Sequence, residues 1–266
     1  MSGAQSMTAF AARLAGALAA ALAATVLSPP ARAQHAELHT FHCLHGCPAG
    51  ASARNDVVVR EIYTLSSNDF TKLADWVAYR VTPATIGRAQ SRTWQADPWL
   101  GADETLEPGD YAGAARALGT DRGHQAPLAA FSGTPFWPDT NYLSNITPQA
   151  AALNQGAWQR LEAQEIGLAQ RERVAVYVVT GPLFEQLAMP LPAADEPHQV
   201  PSGYWKVIAT ADGRASAFIF GQDTACTARH CAGLVPLGEV EGRARLDLFP
   251  RLEGAALRPL DEALGC

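Results

Sequence analysis

Short runs of β-branched and aromatic residues, separated by turn-forming residues, predict a β-sheet. Residues 57–65 (VVVREIYTL) and 76–81 (WVAYRV) are two such runs, and the loop 66–70 (SSNDF) between them predicts a hairpin or a meander. The apolar run 174–180 (VAVYVVT), followed by a Gly-Pro pair that should stop it, predicts a buried strand. Two further strands are expected at residues 204–209 and 217–220.

One long helix and several irregular stretches complete the pattern. Residues 153–170 are rich in Leu, Ala, Gln, Glu and Arg, which favour a helix despite Gly156. Residues 83–120 are mostly irregular, and such long segments in a compact domain are often functional. From Cys231 onward we expect helix and loop. The sequence shows no repeats and no obvious linker, which predicts one α+β domain, residues 34–266, with a central sheet.

The first 33 residues are expected to be removed rather than folded. Arg13 precedes an apolar run, residues 14–27, and the small-residue pattern ARA follows at 31–33. That order is typical of a secretory signal peptide. The alternative is a retained membrane anchor, but a spanning helix needs roughly 20 apolar residues. No later stretch is long and apolar enough to span a bilayer, so the exported part is expected to have no membrane attachment.

Charge and cysteine content narrow the function classes only slightly. The 20 Lys and Arg against 26 Asp and Glu give a formal net charge of −6. Composition therefore carries no basic signature of a nucleic-acid-binding protein, although a small basic cleft can lie on an acidic body. All five cysteines follow residue 33, where an oxidising compartment favours disulfides. Their odd number leaves at least one unpaired or paired outside the chain.

A group of histidines surrounds two cysteines near the start of the exported part. The residues are His35, His39, His42, His45, Cys43 and Cys47. Because His and Cys are zinc ligands, a metal site is one interpretation. We favour a small disulfide loop with solvated histidines, because a Cys-x3-Cys spacing closes easily in an exported protein.

One stretch in the middle of the chain holds the densest set of chemistry-bearing side chains. Arg122 and His124 lie two residues apart, so on an extended segment both would face one side, and Gly123 would let a backbone or ligand approach. Asn154 and Glu162 lie at i and i+8, about 80° apart around a helix, so both can border one cleft. Such oxygen ligands suit Mg²⁺, which keeps several waters.

A base, an arginine and an oxygen-bound metal ion form a set suited to phosphodiester hydrolysis. The base deprotonates a water, the metal stabilises the leaving oxygen and the arginine stabilises the transition state. On spacing alone an alternative stays open. A histidine beside an arginine can be a structural or surface group, and Asn and Glu on a helix can be a cap and a solvated residue.

Three longer motifs favour the catalytic interpretation. The chain contains DRGHQAPLA, NYLSNITPQ and LNQGAWQRLE in this order, and it resembles the DNA/RNA non-specific endonuclease family, in particular its secreted bacterial sugar-non-specific nucleases. The resemblance extends upstream through YTLSSNDFTKLADWVAYRVT and SRTWQADP and downstream through VYVVTGPLFE and PSGYWKVI. It implies a ββα-metal core with a central, mostly antiparallel sheet flanked by helices.

The resemblance implies a base and a metal site. His124 of DRGH would be the general base that activates water. Asn154 of LNQGAW would be the direct protein ligand of Mg²⁺, with Mn²⁺ as an alternative ion. Glu162 of RLE would hold the metal-bound waters.

The resemblance also implies contacts to the phosphate. Arg122 would bind or orient the phosphate, and Arg92 of SRTWQ would stabilise the transition state. Asn145 of NITPQ would lie near the substrate phosphate. Asp121 is expected to support the local structure rather than the chemistry.

One position near the expected metal site departs from the family pattern. The secreted relatives carry a further arginine one helical turn after the glutamate, where this chain has Ile166. Either one phosphate contact is missing, or Arg171 or Arg173 replaces it.

The disulfides of the family fit four of the five cysteines. The resemblance implies the pairs Cys43–Cys47 and Cys231–Cys266. Cys226 is then the odd cysteine, and no role for it follows from the family pattern.

Together with the expected signal peptide, the resemblance implies a secreted or periplasmic, Mg²⁺-dependent, sugar-non-specific endonuclease. It would cut double- and single-stranded DNA and RNA internally and leave 5′-phosphates, and a homodimer is compatible with the resemblance. The main alternative is an exported nucleic-acid- or phosphate-binding protein on a catalytically decayed nuclease fold. A serine hydrolase is disfavoured because the sequence contains no G-x-S-x-G motif.

Overall fold

A central eight-stranded sheet organises the protein. The computed structural model describes residues 38–88, 90–254 and 256–266, so the expected signal peptide lies outside the described residues. The strands are β1 (Asp56–Val59), β2 (Tyr63–Asn68), β3 (Leu73–Val81), β4 (Thr120–His124), β5 (Ile146–Ala150), β6 (Val176–Leu183), β7 (Gly203–Thr210), β8 (Arg214–Gly221), β9 (Leu234–Val235) and β10 (Arg258–Pro259).

Most neighbouring strands of this sheet are antiparallel. Its order is β1-β2-β3-β6-β7-β8-β10, and β9 pairs with β8. Only β10, among the described strands, pairs in parallel, with β8. Strands β4 and β5 form a separate antiparallel hairpin.

Helices pack on both faces of the sheet. The α-helices are α1 (Ala114–Leu118), α2 (Leu128–Phe131), α3 (Ala151–Leu153), α4 (Gln159–Glu172) and α5 (Leu237–Ala244). Short 3-10 helices lie at Trp137–Asn141, Leu143–Asn145, His230–Gly233 and Glu262–Leu264. The predicted α+β class with a central, mostly antiparallel sheet is thereby confirmed. Across the described ranges, no helix combines the length and apolar character that crossing a bilayer requires.

The strand predicted at residues 57–65 is in fact two strands. β1 and β2 pair with Val59 opposite Thr64. The backbone N–H of Arg60 donates to the carbonyl of Tyr63 at 2.9 Å and closes the turn. Arg60 is buried there in an ion pair with Asp97. The run 57–65 therefore turns back at Arg60 instead of continuing as one strand.

The loop predicted at residues 66–70 begins later than expected. Ser66 to Asn68 still belong to β2, and the chain turns over residues 69–72. Asn68 Oδ1 accepts a hydrogen bond from the N–H of Phe70 at 2.9 Å. Lys72 adopts a positive φ of 62°. The turn is thus stabilised by a side-chain acceptor and a left-handed residue.

The Gly-Pro pair predicted to end a strand lies inside β6. A β-carbon on Gly181 would be 2.3 Å from the carbonyl oxygen of Asp75 and 2.8 Å from the ring of Trp205, so this glycine permits close packing. β3 pairs with β6 only as far as Thr180. At Pro182 the strand is therefore unpaired on that side, where proline is tolerated.

Alternate residues of the central strands belong to two separate cores. Val178 of β6 and Ile208 of β7 pack in the core that contains α4, whereas Val179 and Val207 pack in the core that contains α5. This is the two-residue period of a strand buried on both faces. Lys206 has the same parity as Ile208, so it lies on the α4 side of β7.

Two disulfides close the N-terminal loop and the C-terminal tail. Cys43 is bonded to Cys47, and Cys231 is bonded to Cys266. These are the pairs that the family pattern implies. Cys226 is exposed and unbonded.

The N-terminal loop uses one of its histidines as a buried hydrogen-bonding group. His42 Nδ1 lies 2.9 Å from Thr64 Oγ1, and Nε2 lies 3.2 Å from the carbonyl oxygen of Glu61. His35 lies outside the described residues. His42 therefore attaches the loop to the sheet and is not solvated, as had been expected of these histidines.

We expect His42 to make the protein less stable in mildly acidic solution. Burial lowers the pKa of His42 to about 4. The hydrogen bond to the carbonyl of Glu61 opposes this shift, and the charge of Arg80 adds to it. The unfolded imidazole binds a proton below about pH 6.5. The free energy of unfolding should therefore fall by about 3 kcal/mol as the pH drops from about 6.5 to about 4. In urea unfolding, the free energy of unfolding of His42→Gln should lack this part of the pH dependence. If the free energies of wild type and variant change equally with pH, the prediction is contradicted.

Candidate active site

The β4–β5 hairpin carries the expected base and cation. Gly123 lies opposite Thr147 in this hairpin. Arg122 and His124 both line a cavity of about 730 Å³, as their two-residue spacing predicts. A β-carbon on Gly123 would lie 2.6 Å from Oε1 of Gln149. The glycine therefore admits a neighbouring side chain, not the ligand or backbone that the sequence suggested.

The predicted helix at residues 153–170 is interrupted beside the expected metal ligand. A π-helical segment, Asn154–Trp158, separates α3 from α4, and Gly156 has the non-helical angles φ −109° and ψ −116°. A β-carbon on Gly156 would be 2.8 Å from the carbonyl oxygen of Cys226, so a neighbouring loop occupies this side. The angle computed for a straight helix between Asn154 and Glu162 therefore does not hold. Both residues nevertheless line the same cavity.

Asp121 orients the amide of Asn154. Its Oδ2 accepts hydrogen bonds from Asn154 Nδ2 at 2.9 Å and from Gln155 Nε2 at 2.8 Å. The donor end of the Asn154 amide is therefore engaged with β4. Its other end, the oxygen Oδ1, is the kind of ligand that a hard cation prefers.

His124 is held at the cavity as a neutral imidazole. Its Nε2 donates to Oδ1 of Asn141 at 3.3 Å, which leaves Nδ1 as the acceptor of the ring. The ring centroid lies 5.3 Å from that of Trp94. Burial lowers the pKa of His124 to about 4; the Asn141 hydrogen bond opposes this shift, and Arg92 adds to it. An uncharged imidazole can accept a proton at neutral pH.

Two arginines make this part of the cavity cationic. Arg122 donates from Nη2 to the carbonyl of Pro108 at 3.0 Å. Its guanidinium carbon lies 5.6 Å from the ring centroid of Trp94 and 5.1 Å from that of Tyr111, within the range of a cation–π attraction. Arg92 is exposed and lines the same cavity. The cavity thus presents fixed positive charge next to a base.

Glu162 reaches the cavity from a buried charge cluster. Lys206 Nζ lies 3.7 Å from Glu162 Oε1 and 3.3 Å from Glu165 Oε2. Burial raises the pKa of Glu162 to about 7, which Lys206 opposes and Glu165 reinforces. This cluster was not predicted from the sequence, although a lysine inside the predicted strand 204–209 was a signal for it. Asn141 was not predicted either.

Asn145 is not on the cavity wall. It is fully buried, and its Oδ1 accepts from the N–H of Ala126 at 2.8 Å. Its Nδ2 donates to the carbonyls of Ala126 and Thr140 at 3.0 and 2.9 Å. This amide therefore fastens the backbone after His124, and it does not line the cavity with Arg92 and Arg122.

The position expected to carry a further arginine is apolar. Ile166 lines the cavity one helical turn after Glu162. Arg171 donates from Nη2 to the carbonyl of Ala263 at 2.7 Å, at the C-terminal tail. Neither Arg171 nor Arg173 lines this cavity, so neither replaces the missing cation there.

Comparisons with known proteins identify the family of this chain. Residues 45–254 match the family described as DNA/RNA non-specific endonuclease. A nuclease of Serratia marcescens is 44% identical over 258 residues, which cover 92% of this chain and 96% of the relative. Human mitochondrial endonuclease G is 35% identical over 144 residues, 53% of this chain and 46% of that protein.

A solved structure supports the fold. The crystal structure of an EndoG/EndoGI complex matches with a TM-score of 0.64 and 24% identity, over 74% of this chain and 86% of that one. At this identity the likeness concerns the fold alone. The sequence matches go further: the chain belongs to the DNA/RNA non-specific endonuclease family and is an enzyme of this metal-dependent, non-specific nuclease type.

Proposed function

We propose that the chain is a Mg²⁺-dependent endonuclease that cuts double- and single-stranded DNA and RNA to 5′-phosphate oligonucleotides. One observation carries the proposal. The neutral base His124, the cation of Arg122 and the oxygen groups of Asn154 and Glu162 line one cavity. A protein that only binds nucleic acid would need the cations but not the base.

His124 would start the reaction by taking a proton from a water molecule. The water oxygen then forms a bond to phosphorus, and the bond from phosphorus to the 3′-oxygen breaks. The leaving 3′-oxygen takes a proton from solvent and becomes a hydroxyl, and the phosphate stays on the 5′-oxygen of the downstream nucleotide. Arg122 and Arg92 would balance the charge that grows on the phosphate oxygens. The contacts of Arg122 with two aromatic rings and with the carbonyl of Pro108 would keep its charge in place, so little reorganisation is needed during the reaction.

Asn154 and Glu162 are the residues that would hold the metal ion. Asn154 would bind through Oδ1, because its Nδ2 is engaged with Asp121. Glu162, which lines the same cavity, would hold waters of the ion. This small set of oxygen groups fits Mg²⁺, which retains most of its waters, and Mn²⁺ is the alternative. The bound ion would supply positive charge at the leaving oxygen.

The same groups explain a lack of sequence preference. Arginine and a metal ion recognise phosphate oxygens, which are alike in every nucleotide. A base-reading contact is not needed for the chemistry described above. The expected substrates therefore include both sugars and both strand states.

The place of action and the oligomeric state belong to this proposal as well. Two disulfides suit an oxidising compartment, which supports a secreted or periplasmic enzyme. We propose residues 1–33 as the signal peptide that is removed. A homodimer is testable by measuring the mass of the purified protein in solution.

Digestion with and without metal tests the proposal. The purified protein should degrade plasmid DNA and total RNA in Mg²⁺, and excess EDTA should abolish both activities. The fragments should accept a 5′-label from polynucleotide kinase only after phosphatase treatment, because their 5′ ends already carry phosphate. Readdition of Mg²⁺ or Mn²⁺ beyond the chelator should restore cleavage.

Each alternative has its own outcome in this assay. Cleavage that persists in EDTA would overturn the metal-dependent mechanism. A shift of labelled DNA in a gel without cleavage under any ion would identify a binding protein on a decayed nuclease fold. If the protein degraded only DNA or only RNA, the sugar-non-specific assignment would be replaced by a narrower one.

A further inference from the structure

Lys206 is a charged residue in the centre of the sheet. It is fully buried in β7, on the face that packs against α4. Its Nζ donates to Tyr79 Oη at 3.1 Å and lies 4.5 Å from the ring centroid of Trp158. A buried ammonium requires opposite charge and hydrogen-bond partners, because desolvation is otherwise unfavourable.

A first carboxylate already satisfies that requirement. Glu165 Oε2 lies 3.3 Å from Lys206 Nζ, and the Glu165 side chain is completely buried. Tyr79 donates its hydroxyl to the other oxygen, Oε1, at 2.8 Å. Lys206, Glu165 and Tyr79 therefore form a closed triangle with one positive and one negative charge.

A second carboxylate approaches the same ammonium from the cavity. Glu162 lies one turn before Glu165 on α4, and its Oε1 is 3.7 Å from Lys206 Nζ. The Glu162 side chain is 19% exposed, whereas that of Lys206 is 0% exposed. Glu162 is thus the one carboxylate of this cluster that touches both the buried cation and the cavity.

We propose that Lys206 is a positioning residue for Glu162. Attraction to Nζ fixes the Oε1 side of the Glu162 carboxylate towards the sheet, so that the group presents one orientation to the metal-bound waters. Glu165 and Tyr79 brace Lys206 so that it cannot follow Glu162 into the cavity. The inference rests on the proposed function and deepens it, because it assigns the support of the metal site to the central sheet.

The experiment compares metal binding with catalysis. Lys206→Met removes the charge and keeps the length of the side chain. Calorimetric titration of the protein with Mn²⁺, without nucleic acid, should show an affinity lower by about 10–100-fold, the usual effect of losing such a support. In Mg²⁺, kcat on DNA should fall by a similar factor, whereas KM for DNA should change little, since the arginines remain.

A second variant guards against a failure to fold. Lys206→Met leaves Glu165 buried without its cation, so the double variant Lys206→Met/Glu165→Gln restores charge balance. It should fold and show the same loss of Mn²⁺ affinity. Should neither variant fold, Tyr79→Phe loosens the brace by one hydroxyl, and an unchanged Mn²⁺ affinity in Tyr79→Phe would then overturn the proposal.

Arg214→Met is the matched control. Arg214 also joins a strand to α4, because its Nη2 pairs with Glu172 Oε2 at 2.6 Å. Its loss should lower the melting temperature without changing Mn²⁺ affinity. Wild-type affinity and kcat in a folded Lys206 variant would overturn the positioning role alone. An inactive wild-type protein would instead overturn the proposed function.

Discussion

Replacing His124 by alanine should lower kcat by about 10²–10⁴-fold, the range that general-base catalysis supplies. The variant loses the only proton acceptor that we assign to the attacking water. Its fold should persist, because His124 is half-buried at the cavity and its side-chain contacts are a 3.3 Å hydrogen bond to Asn141 and a ring contact with Trp94. Initial rates on plasmid DNA, with a thermal melt of each protein, measure both quantities.

Two further measurements make the His124 result specific. His198 is also half-buried and accepts a backbone hydrogen bond from Leu191 at 2.9 Å, but it does not line the cavity. His198→Ala should therefore keep the wild-type rate. Added imidazole should partly restore cleavage by His124→Ala. Near-wild-type activity of His124→Ala without imidazole would assign the base to another group.

The two disulfides should differ in what they contribute to stability. Cys231–Cys266 closes a sequence separation of 35 residues, and Cys43–Cys47 closes one of only 4. In the chain-entropy description the longer loop stabilises by about 4 kcal/mol and the shorter by about 2 kcal/mol. Urea unfolding of the two double alanine variants should show this order. The reverse order would mean that native contacts of the N-terminal loop, and not loop closure, decide the effect.

Most of the residues that the motifs and the family resemblance suggested for the site line one cavity. Arg122 and His124 face one cavity because β4 is extended, as a two-residue spacing requires. Asn154 and Glu162 reach the same cavity even though the helix between them is interrupted.

Contacts between distant segments are what the sequence could not supply. The backbone at Cys226 packs against the interrupted helix at Gly156, a contact that local sequence patterns do not predict. Lys206 meets Tyr79 across 127 positions, a pairing that depends on the order of the strands. Gly181 was expected to stop a strand, yet it packs against Trp205 inside one. In each case tertiary packing overrides a local preference.

The order of strands in the sheet also affects when a growing chain becomes active. β6 and β7 lie between β3 and β8 in the sheet, yet both are translated after the residues assigned to the base and the metal. A ribosome adds about 5–20 residues per second. The residues assigned to the base and the metal are therefore made seconds before β6 and β7, against which α4 packs. Until β7 is made, the nascent chain lacks Lys206 and the sheet face beneath Glu162. We therefore expect a chain that ends before β7 to lack the support of Glu162 and to be inactive.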